Sequence, residues 1–446
     1  MSDDSWTIRV GTLTRVEGEG ALNVRLRDGH VETVELNIYE PPRFFEAFLR
    51  GRPLEDVPDI TARICGICPV AYQMSAVHAL EAALEIEITP EIRELRRLLY
   101  CGEWIESHTL HMHLLHAPDF HGCASGLELA RLFPREVQRG LRLKKIGNRL
   151  LEILGGRSVH PINVCVGGFY RSPQPLLLQE LIPDLEWGVT AAAEATRWVA
   201  GFPFPDFVRD YDLIALTPEA EYPFHARTFA SSKGTSFSVA EYEKVLEEHQ
   251  VPHSTALQAR RRENAASCLF GPLARIHLNF EHLHPEARTV AEECGIEWPC
   301  RNPFQSIVAR GIEVVQAFAE ALRIIRAYTL PRQSRIPYEP RAGVGMAATE
   351  APRGTLYHRY EVDEAGRIAQ AVIIPPTSQN QQQIEEDLRE YLPRLLTLEH
   401  AEIADHCERL IRTYDPCISC ATHFLKFTLE RDDSPHVPPD PSLPPD

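Results

Sequence analysis

The sequence predicts a mainly α-helical protein of the α+β class, built as one large body around a bundle of long helices with small peripheral antiparallel sheets. Three observations support this class. Long stretches place apolar side chains at helical spacing, while two other stretches alternate as strands do. No internal repeat or linker divides the chain before residue 430. The 446 residues are 44% hydrophobic, which is enough for a substantial core.

Two stretches predict the sheets. Residues 6–39 show strand-like alternation, and the Asp28-Gly29 pair inside them is typical of a hairpin turn. A second strand-rich stretch covers residues 353–375. We therefore expect a small antiparallel sheet near the N-terminus and a strand-rich patch late in the chain.

Apolar spacing predicts the long helices. In residues 91–117, the side chains of Ile92, Leu95, Leu99 and Ile105 recur at helical intervals. Other stretches share this spacing, and two of them end at a Gly-Gly pair or a proline, both typical of helix ends. These stretches are residues 135–154, 179–200, 305–330 and 397–413.

Composition excludes several classes of partner. The net charge of −17 argues against nucleic acid, which needs a clustered basic face. The opening "MSDDSWTIRVG" has no basic segment followed by an apolar run, so we expect no signal peptide. No segment approaches the ~18 apolar residues of a membrane span. Eleven cysteines without a secretion signal indicate thiols or metal ligands in a cytoplasmic protein.

Two C-x-x-C pairs lie at opposite ends of the chain. Cys65 and Cys68 stand in "RICGIC", and Cys417 and Cys420 stand in "DPCISCATH". Each spacing brings two sulfurs to one side of a turn, and four thiolates complete a tetrahedral site for a soft metal. A c-type haem is excluded, because two residues separate Cys420 from His423. Structural zinc in a scaffold protein is the alternative, although such sites usually join pairs a few tens of residues apart.

Six further segments accompany these pairs in a fixed order. They are "LTRVEGEG" (13–20), "PRFFEAFLRGRP" (42–53), "IESHTLHMHLL" (105–115), "GGRSVHPINVCVGG" (155–168), "TEAPRGTL" (349–356) and "PPTSQNQ" (375–381). Together with the cysteine pairs they resemble the large, catalytic (alpha) subunit of the [NiFe] hydrogenases, over nearly the whole chain up to residue 423. The residues of these segments are most similar to those of the cytoplasmic, NAD(P)-linked branch, which includes the sulfhydrogenase-like alpha subunits.

The resemblance implies reversible, heterolytic cleavage of H2 at a nickel–iron cofactor whose iron carries cyanide and carbon monoxide. It makes Cys65 and Cys417 terminal nickel ligands, and it makes Cys68 and Cys420 bridges between nickel and iron. A hydrogenase-like subunit without hydrogen chemistry, such as the quinone-site subunit of a respiratory complex, is an alternative. That subunit lacks the four cysteines.

Cleavage of H2 also needs a nearby base and an exit for the proton. A metal-bound thiolate can be the base, and Cys417 fits that role. Glu17 of "RVEGEG" resembles the family's proton-transfer glutamate, whereas composition alone would make it an exposed carboxylate at a strand end. Glu19, two residues further on, is predicted to be a surface residue.

Four residues resemble the family's pocket beside the iron. Arg353 would donate to one cyanide, because a guanidinium is a fixed multi-donor cation, and Pro352 would line the same pocket. Thr377 would donate to the other cyanide, and Asp415 would orient the arginine. Taken alone, these residues predict no more than a surface ion pair, a turn hydroxyl and a turn aspartate.

The helix over residues 91–117 carries a departure from the family and a competing signal. Ser107 stands where many relatives have an aspartate above the metals, and His111 lies one turn further along the same face. Helical histidines at such spacings can also bind zinc, but no H-E-x-x-H motif is present. We predict buried, hydrogen-bonded histidines near the site. They are His108, His111, His113 and His116.

Two further pairs are assigned through the resemblance. Glu46 and His423 would bind magnesium or iron together with several waters, as suits a hard cation. His160 and Arg63 would orient the metal ligands from behind. On their own, Glu46 is typical of a first helical turn, and the other two are typical of core packing and ion pairing.

The remaining cysteines have no cluster spacing and are predicted to be buried small hydrophobes. They are Cys101, Cys123, Cys165, Cys268, Cys294, Cys300 and Cys407. We therefore expect no iron–sulfur cluster in this chain. The resemblance implies a small iron–sulfur subunit as the electron acceptor, joined to flavin and NAD(P)-binding diaphorase subunits.

The C-terminal stretch differs from the rest in composition. Residues 434–446, "SPHVPPDPSLPPD", hold six prolines and cannot bury enough apolar surface to order themselves. The resemblance divides the chain into a catalytic body, residues 1–423, and an extension, residues 424–446. It implies that a maturation endopeptidase cuts between His423 and Phe424, and that nickel-insertion factors load the metal.

Overall fold

Helices form about half of the described protein. The computed structural model describes residues 5–422. The α-helices of that range are α1 (Phe45–Leu49), α2 (Val57–Ala62), α3 (Pro69–Leu84), α4 (Pro90–Leu110), α5 (Ala117–Phe120), α6 (Gly126–Leu132), α7 (Pro134–Gly155), α8 (Pro175–Gln179), α9 (Ile182–Ala200), α10 (Tyr242–Val245), α11 (Pro272–Asn279), α12 (Pro285–Glu293), α13 (Ser306–Ala327), α14 (Pro376–Tyr391), α15 (His400–Thr413) and α16 (Ile418–Ala421). A π-helix, His111–His116, joins α4 to α5.

The strands are short and pair antiparallel. They are β1 (Ser5–Val10), β2 (Gly20–Arg27), β3 (His30–Ile38), β4 (Val164–Cys165), β5 (Gly168–Phe169), β6 (Ile214–Leu216), β7 (His225–Ala226), β8 (Thr228–Ser231), β9 (Ser236–Ser238), β10 (Leu246–Gln250), β11 (Leu257–Arg261), β12 (Gly343–Ala351), β13 (Gly354–Val362) and β14 (Ile368–Ile374). The sheets have the orders β1-β2-β3, β14-β13-β12-β7 and β6-β8-β9, and β4-β5 and β10-β11 are two-stranded. The predicted fold class is confirmed.

The long helices α4, α7, α9 and α13 form the centre of the bundle. Every residue of α13 from Ser306 to Ala321 is buried. Glycines let the helices approach closely. A Cβ on Gly147 of α7 would lie 2.8 Å from the carbonyl oxygen of Gly102 in α4, so no larger residue fits without backbone movement.

The predicted helices match the structure, with differences at their ends. The stretch 91–117 forms α4, which begins after Thr89, whose hydroxyl accepts a hydrogen bond from the amide of Ile92 (3.3 Å). The helical path continues through the π-helix to Phe120. The stretch 305–330 forms α13, which already ends at Ala327.

Two helices of 16 residues each, α3 and α14, were not predicted, and neither were the shorter helices outside the predicted stretches. Nearly all side chains of α3 are buried, so the polar face that makes a helical period visible is missing. Helix α14 begins "PTSQNQQQ", and these polar side chains are mostly buried as well, so no apolar stripe marks it. No helix within residues 5–422 has the length and apolar character needed to cross a bilayer.

Both predicted sheet regions contain strands. Asp28 and Gly29 have positive φ angles of 50° and 74° and form the turn between β2 and β3. In the late region, β12 pairs with β13 so that Ala351 lies opposite Gly354. Pro352 and Arg353 therefore form a two-residue hairpin tip. The predicted extension, residues 424–446, lies outside the described residues.

Candidate metal centre

The four cysteines of the two C-x-x-C pairs meet in the core. Their sulfur atoms all lie within 4.8 Å of one another. The Sγ atoms of Cys65 and Cys417 are 3.4 Å apart, and those of Cys68 and Cys420 are 3.7 Å apart. None of the four residues is more than 3% exposed. Among residues 5–422, no other set of three or more Cys, His, Asp or Glu side chains comes as close together.

This arrangement fits a bound soft metal and not a pair of disulfides. A disulfide needs about 2.05 Å between sulfurs, whereas a tetrahedron with metal–sulfur bonds of about 2.3 Å places them roughly 3.8 Å apart. Burial raises the pKa of Cys417 and of Cys420. Hydrogen bonds from the neighbouring sulfurs, Cys417 first, lower the pKa of Cys65. Four sulfurs buried this close together lose their protons only when a cation balances the charge.

Two charged residues that the sequence analysis did not identify hold the cysteine loops. Cys65 and Cys68 lie between α2 and α3, and the carboxylate of Glu103 accepts hydrogen bonds from the α3 amides of Val70 (2.6 Å) and Ala71 (3.1 Å). A charge inside the apolar face of α4 was the available signal for Glu103.

Arg43 is the second of these residues. Its guanidinium donates to the carbonyl oxygen of Ile64 (2.7 Å), next to Cys65, and to the carbonyl oxygen of Ser419, between Cys417 and Cys420. Arg43 therefore ties the two cysteine loops directly to each other. This role is not visible in the sequence, because the two loops lie far apart along the chain.

Glu17 lies against Cys417. Its carbonyl oxygen accepts a hydrogen bond from the amide of Ile418 (2.9 Å), which pairs the two segments as a short parallel bridge. Its carboxylate accepts from the Sγ of Cys417 (3.0 Å) and from the amide of Ser419 (3.1 Å). Burial, followed by the charge of Cys65, raises the pKa of Glu17. A half-buried carboxyl with a raised pKa beside a metal-site thiol is suited to receiving a proton.

Arg353 is buried and only partly satisfied. Its guanidinium donates to the carbonyl oxygen of Asp415 (2.7 Å, from Nε) and to its carboxylate (3.1 Å, from Nη2). Its Nη1 is buried without a hydrogen-bond partner in the described structure. Although burial lowers the pKa of Arg353, the charges of Asp415 and Cys417 raise it more. An orphaned, permanently charged donor fits a small anion at this place.

The other residues assigned to this pocket are also buried. The hydroxyl oxygen of Thr377 accepts from the amide of Cys417 (2.9 Å), which leaves its hydrogen free to donate elsewhere. Pro352 is buried beside Arg353. The hydroxyl of Ser107 is buried without a partner among the described residues.

The histidines after Ser107 are buried, and among residues 5–422 they form no metal-binding cluster. His108 lies 2.9 Å from the Glu313 carboxylate, His111 hydrogen-bonds the carbonyl of Arg412 (2.7 Å), and His113 hydrogen-bonds that of Thr109 (3.0 Å). Burial lowers the pKa of these three to about 4, 3 and 4 and lowers that of the fourth as well. They are neutral core residues. The fourth is His116, which contacts the ring of Phe120 (centroids 4.9 Å apart).

The residues predicted to bind the second metal or to support the ligand loops have different environments. Glu46 accepts a hydrogen bond from the amide of Ile373 (2.8 Å), while its predicted partner His423 lies outside the described residues. The ring of His160 hydrogen-bonds the carbonyl of Ala62 (2.8 Å) and so supports the backbone that leads to Cys65.

The expectation that Arg63 orients a metal ligand disagrees with its placement. The side chain is 43% exposed and pairs with Asp59 (3.2 Å), one helical turn earlier. A long cationic side chain at the surface end of α2 gains more from this pair and from water than from a buried position. The placement of Arg63 fits the alternative interpretation, an ordinary ion pair.

The seven other cysteines carry no cluster among the described residues. All are free thiols, and all are buried except Cys294, which is half-buried. They behave as small core side chains.

Comparisons with known proteins agree on one family. A family model described as nickel-dependent hydrogenase matches residues 43–131 and 268–423. The chain is 31% identical over 424 residues to sulfhydrogenase 1 subunit alpha of Pyrococcus furiosus, covering 94% of this chain and 98% of that protein. It is 27% identical over 474 residues to the beta subunit of the NAD-reducing hydrogenase HoxS of Cupriavidus necator, covering 93% of this chain and 94% of that protein.

A solved structure shows the same fold. The crystal structure of an NAD+-reducing [NiFe]-hydrogenase in the H2-reduced state is similar with a TM-score of 0.84 at 23% identity. The match covers 94% of this chain and 99% of that one. The fold is therefore shared over 94% of this chain.

Proposed function

Because the chain belongs to the nickel-dependent hydrogenase family, as a large-subunit hydrogenase, we propose that its four-cysteine site carries out reversible, heterolytic cleavage of H2. The reaction releases two protons and two electrons per H2. The observation that carries this proposal is the convergence of four buried sulfurs, all within 4.8 Å, with the carboxylate of Glu17 at 3.0 Å from one of them.

Nickel and iron fit this donor set. Thiolates are soft ligands, and the site is dry, so a metal pair held here would polarise H2 and take up its electrons. Cys65 and Cys417 would hold nickel alone, and Cys68 and Cys420 would hold both metals. Cyanide and carbon monoxide on the iron are the finer part of the proposal. The orphaned Nη1 of Arg353 supports it.

Proton movement is the work of two residues of this chain. The Sγ of Cys417 accepts a proton from H2, and the Glu17 carboxylate takes it over at 3.0 Å. Burial raises the pKa of Glu17, which brings its affinity for the proton closer to that of the donor.

Asp415 fixes the direction of Arg353 through two hydrogen bonds.

The electrons leave through partners. The relatives include an alpha subunit of a sulfhydrogenase and a beta subunit of an NAD-reducing hydrogenase, so both are parts of larger assemblies. We assign to this chain a small iron–sulfur subunit, flavin and NAD(P)-binding diaphorase subunits, and a cytoplasmic location.

Maturation and the second metal site belong to the same proposal. Glu46 and His423 would hold magnesium or iron, and an endopeptidase would cut between His423 and Phe424 after nickel-insertion factors have acted. The intact mass of the active, metal-loaded chain tests the cut. A mass that still includes residues 424–446 refutes it.

Metal analysis with an activity assay tests the function. We expect nickel and iron together in the purified protein, cyanide and carbon monoxide bands in its infrared spectrum, and H2-dependent reduction of a dye. Cys417→Ser should abolish activity, since it removes a ligand and the proton acceptor at once. Zinc alone would indicate the scaffold protein, and no metal would indicate a quinone-site type of subunit.

A further inference from the structure

We propose that Arg275 is a positioning residue that fixes the β12–β13 hairpin tip and thereby aims Arg353 at the metal centre. This inference rests on the role given to Arg353 in the proposed function. Arg275 lies in α11 and contacts the backbone of the hairpin tip. It carries no signal in the sequence beyond one arginine in a short helix.

The guanidinium of Arg275 uses all five of its N–H donors. Two hydrogen bonds go to the carboxylate of Glu313 (2.7 and 2.6 Å), and one goes to the carboxylate of Glu350 (3.1 Å). The other two go to the carbonyl oxygens of Ala351 (2.8 Å) and Pro352 (2.9 Å). These are the two residues that immediately precede Arg353.

The two carboxylates hold Arg275 rigidly in a dry environment. Arg275, Glu313 and Glu350 are all fully buried. Although burial raises the pKa of Glu313, the charge and hydrogen bonds of Arg275 lower it to about 2. The guanidinium also stacks over the ring of Trp104 at 4.5 Å. A planar cation that is fixed on every edge transmits its position to the groups it holds.

The hairpin tip is held from its other sides as well. A Cβ on Gly271, at the start of α11, would lie 2.9 Å from the carbonyl oxygen of Arg353, so backbone presses directly on backbone there. Asp415 holds Nε and Nη2 of Arg353. Arg275 thus holds the backbone just before Arg353, and Asp415 holds two of the three guanidinium nitrogens of Arg353, so both contribute to the direction of the orphaned Nη1.

A positional error of this kind is costly in an active site. A misplacement of about 1 Å can lower a rate by about 100-fold, because catalytic hydrogen bonds depend steeply on geometry. A lysine at position 275 has one ammonium group and cannot hold two carboxylates and two carbonyls in a plane. The hairpin tip would then shift while the core stays filled.

The test compares two buried arginines in the whole metal-loaded enzyme. Arg275→Lys is the probe, and Arg96→Lys is the matched control. Arg96 is 2% exposed and makes an equally close two-bond pair with Glu81 (2.7 and 2.6 Å). Its third hydrogen bond goes to the carbonyl oxygen of Cys165 (3.3 Å), so within residues 5–422 its hydrogen bonds do not involve the hairpin tip. Metal content, thermal midpoint, H2 oxidation and the infrared bands of the iron ligands are measured for both variants and for Arg353→Lys.

We expect Arg275→Lys to keep its metals, to lose H2 oxidation by about 10- to 100-fold, and to shift the cyanide bands in the direction seen for Arg353→Lys. The control should lose thermal stability without a band shift. The double variant Arg275→Lys/Arg353→Lys should be no slower than Arg353→Lys alone, because the first residue acts through the second.

Two results would overturn the inference. One is an Arg275→Lys enzyme with unshifted bands and the stability loss of the control, and the other is additive rate losses in the double variant. If Arg275→Lys does not load metal, Glu350→Gln replaces it, since it removes one acceptor and leaves the arginine in place. A parent enzyme without H2 oxidation or cyanide bands would instead refute the proposed function.

Discussion

Glu17 shows how one residue acquires a role from its surroundings. In sequence it is one of two glutamates in "RVEGEG", and nothing in composition separates them. In the structure only Glu17 reaches the sulfur of Cys417, while Glu19 is exposed. Burial raises its pKa, and two hydrogen bonds fix its carboxylate.

Glu17→Gln should block proton release without loss of metal. The amide keeps the shape of the side chain and cannot carry a proton from Cys417, so H2-dependent dye reduction should fall at least about 100-fold. Nickel and iron contents should equal those of the parent enzyme. Glu19→Gln is the control and should retain full activity. Normal turnover of Glu17→Gln would place the proton exit elsewhere.

Among single residues, the sequence predicted side chains that match a family role and missed side chains that hold backbone. The four cysteines, Glu17 and Arg353 belong to the first group. Arg43 lies inside the 42–53 segment and Glu103 lies outside every motif segment, but neither was assigned a role, because their partners are backbone groups whose positions are not visible in the sequence. The placement of Arg63 does not support its predicted role in orienting a metal ligand, because its exposed side chain pairs with Asp59.

At the scale of elements, the path from α4 through the π-helix to α5 concentrates histidines in the core. His113 is 1% exposed and lies over Gly140 of α7, where a Cβ would be 2.4 Å from the ring. Burial, together with the nearby charge of Arg139, lowers the pKa of His113 to about 4. The hydrogen bond to Thr109 opposes this shift and does not cancel it.

The lowered pKa of His113 makes the folded protein less stable relative to the unfolded chain in acid. Near pH 5 the folded state keeps His113 neutral, while the unfolded chain, with a pKa of about 6.5, binds a proton there. The term therefore destabilises the fold as the pH drops from about 6.5 to about 4. His113→Gln should reduce proton uptake on unfolding at pH 5 by about one proton per chain, measured in a pH-stat.

The parent protein, unfolded at the same pH, is the reference for this measurement. An unchanged uptake for His113→Gln would show that the ring is already charged in the folded protein.

Elements with a visible period were predicted, and elements without one were not. Helices α4 and α7 have an apolar and a polar side, and both lie where expected. Helix α3 is buried all round, and α14 buries polar side chains, so neither shows the pattern on which the prediction depends. The middle sheets consist of strands too short to alternate detectably.

At the scale of the whole molecule, the metal centre joins segments from both ends of the chain. Around Cys417, three amides are held by other parts of the protein. Those of Ile418 and Ser419 bond Glu17, and that of Cys417 bonds Thr377 (2.9 Å). The convergence itself could not be derived from spacing, since nothing local brings residues 65 and 417 together.

Removal of the metal should loosen this junction selectively. Four neighbouring thiols without a cation keep their protons and lose the bonds that hold the loops in register. We expect hydrogen exchange of the amides of residues 417–419 to be at least about 10-fold faster in the metal-free protein, while α4 and α7 keep their protection. Mass spectrometry of peptides resolves both regions. Equal protection at 417–419 in the two forms would contradict this account.

The distance in sequence between the two cysteine pairs also determines when the metals can be inserted. Cys65 and Cys417 are 352 residues apart, so at about 5–20 residues per second the first is synthesised about 20 to 70 s before the second. During that interval the nascent chain contains Cys65 and Cys68 without Cys417 and Cys420. This cysteine pair alone can bind zinc or copper ions from solution. Loading with the right pair of metals must therefore follow translation, and an early, wrong ion is the error that assembly has to prevent.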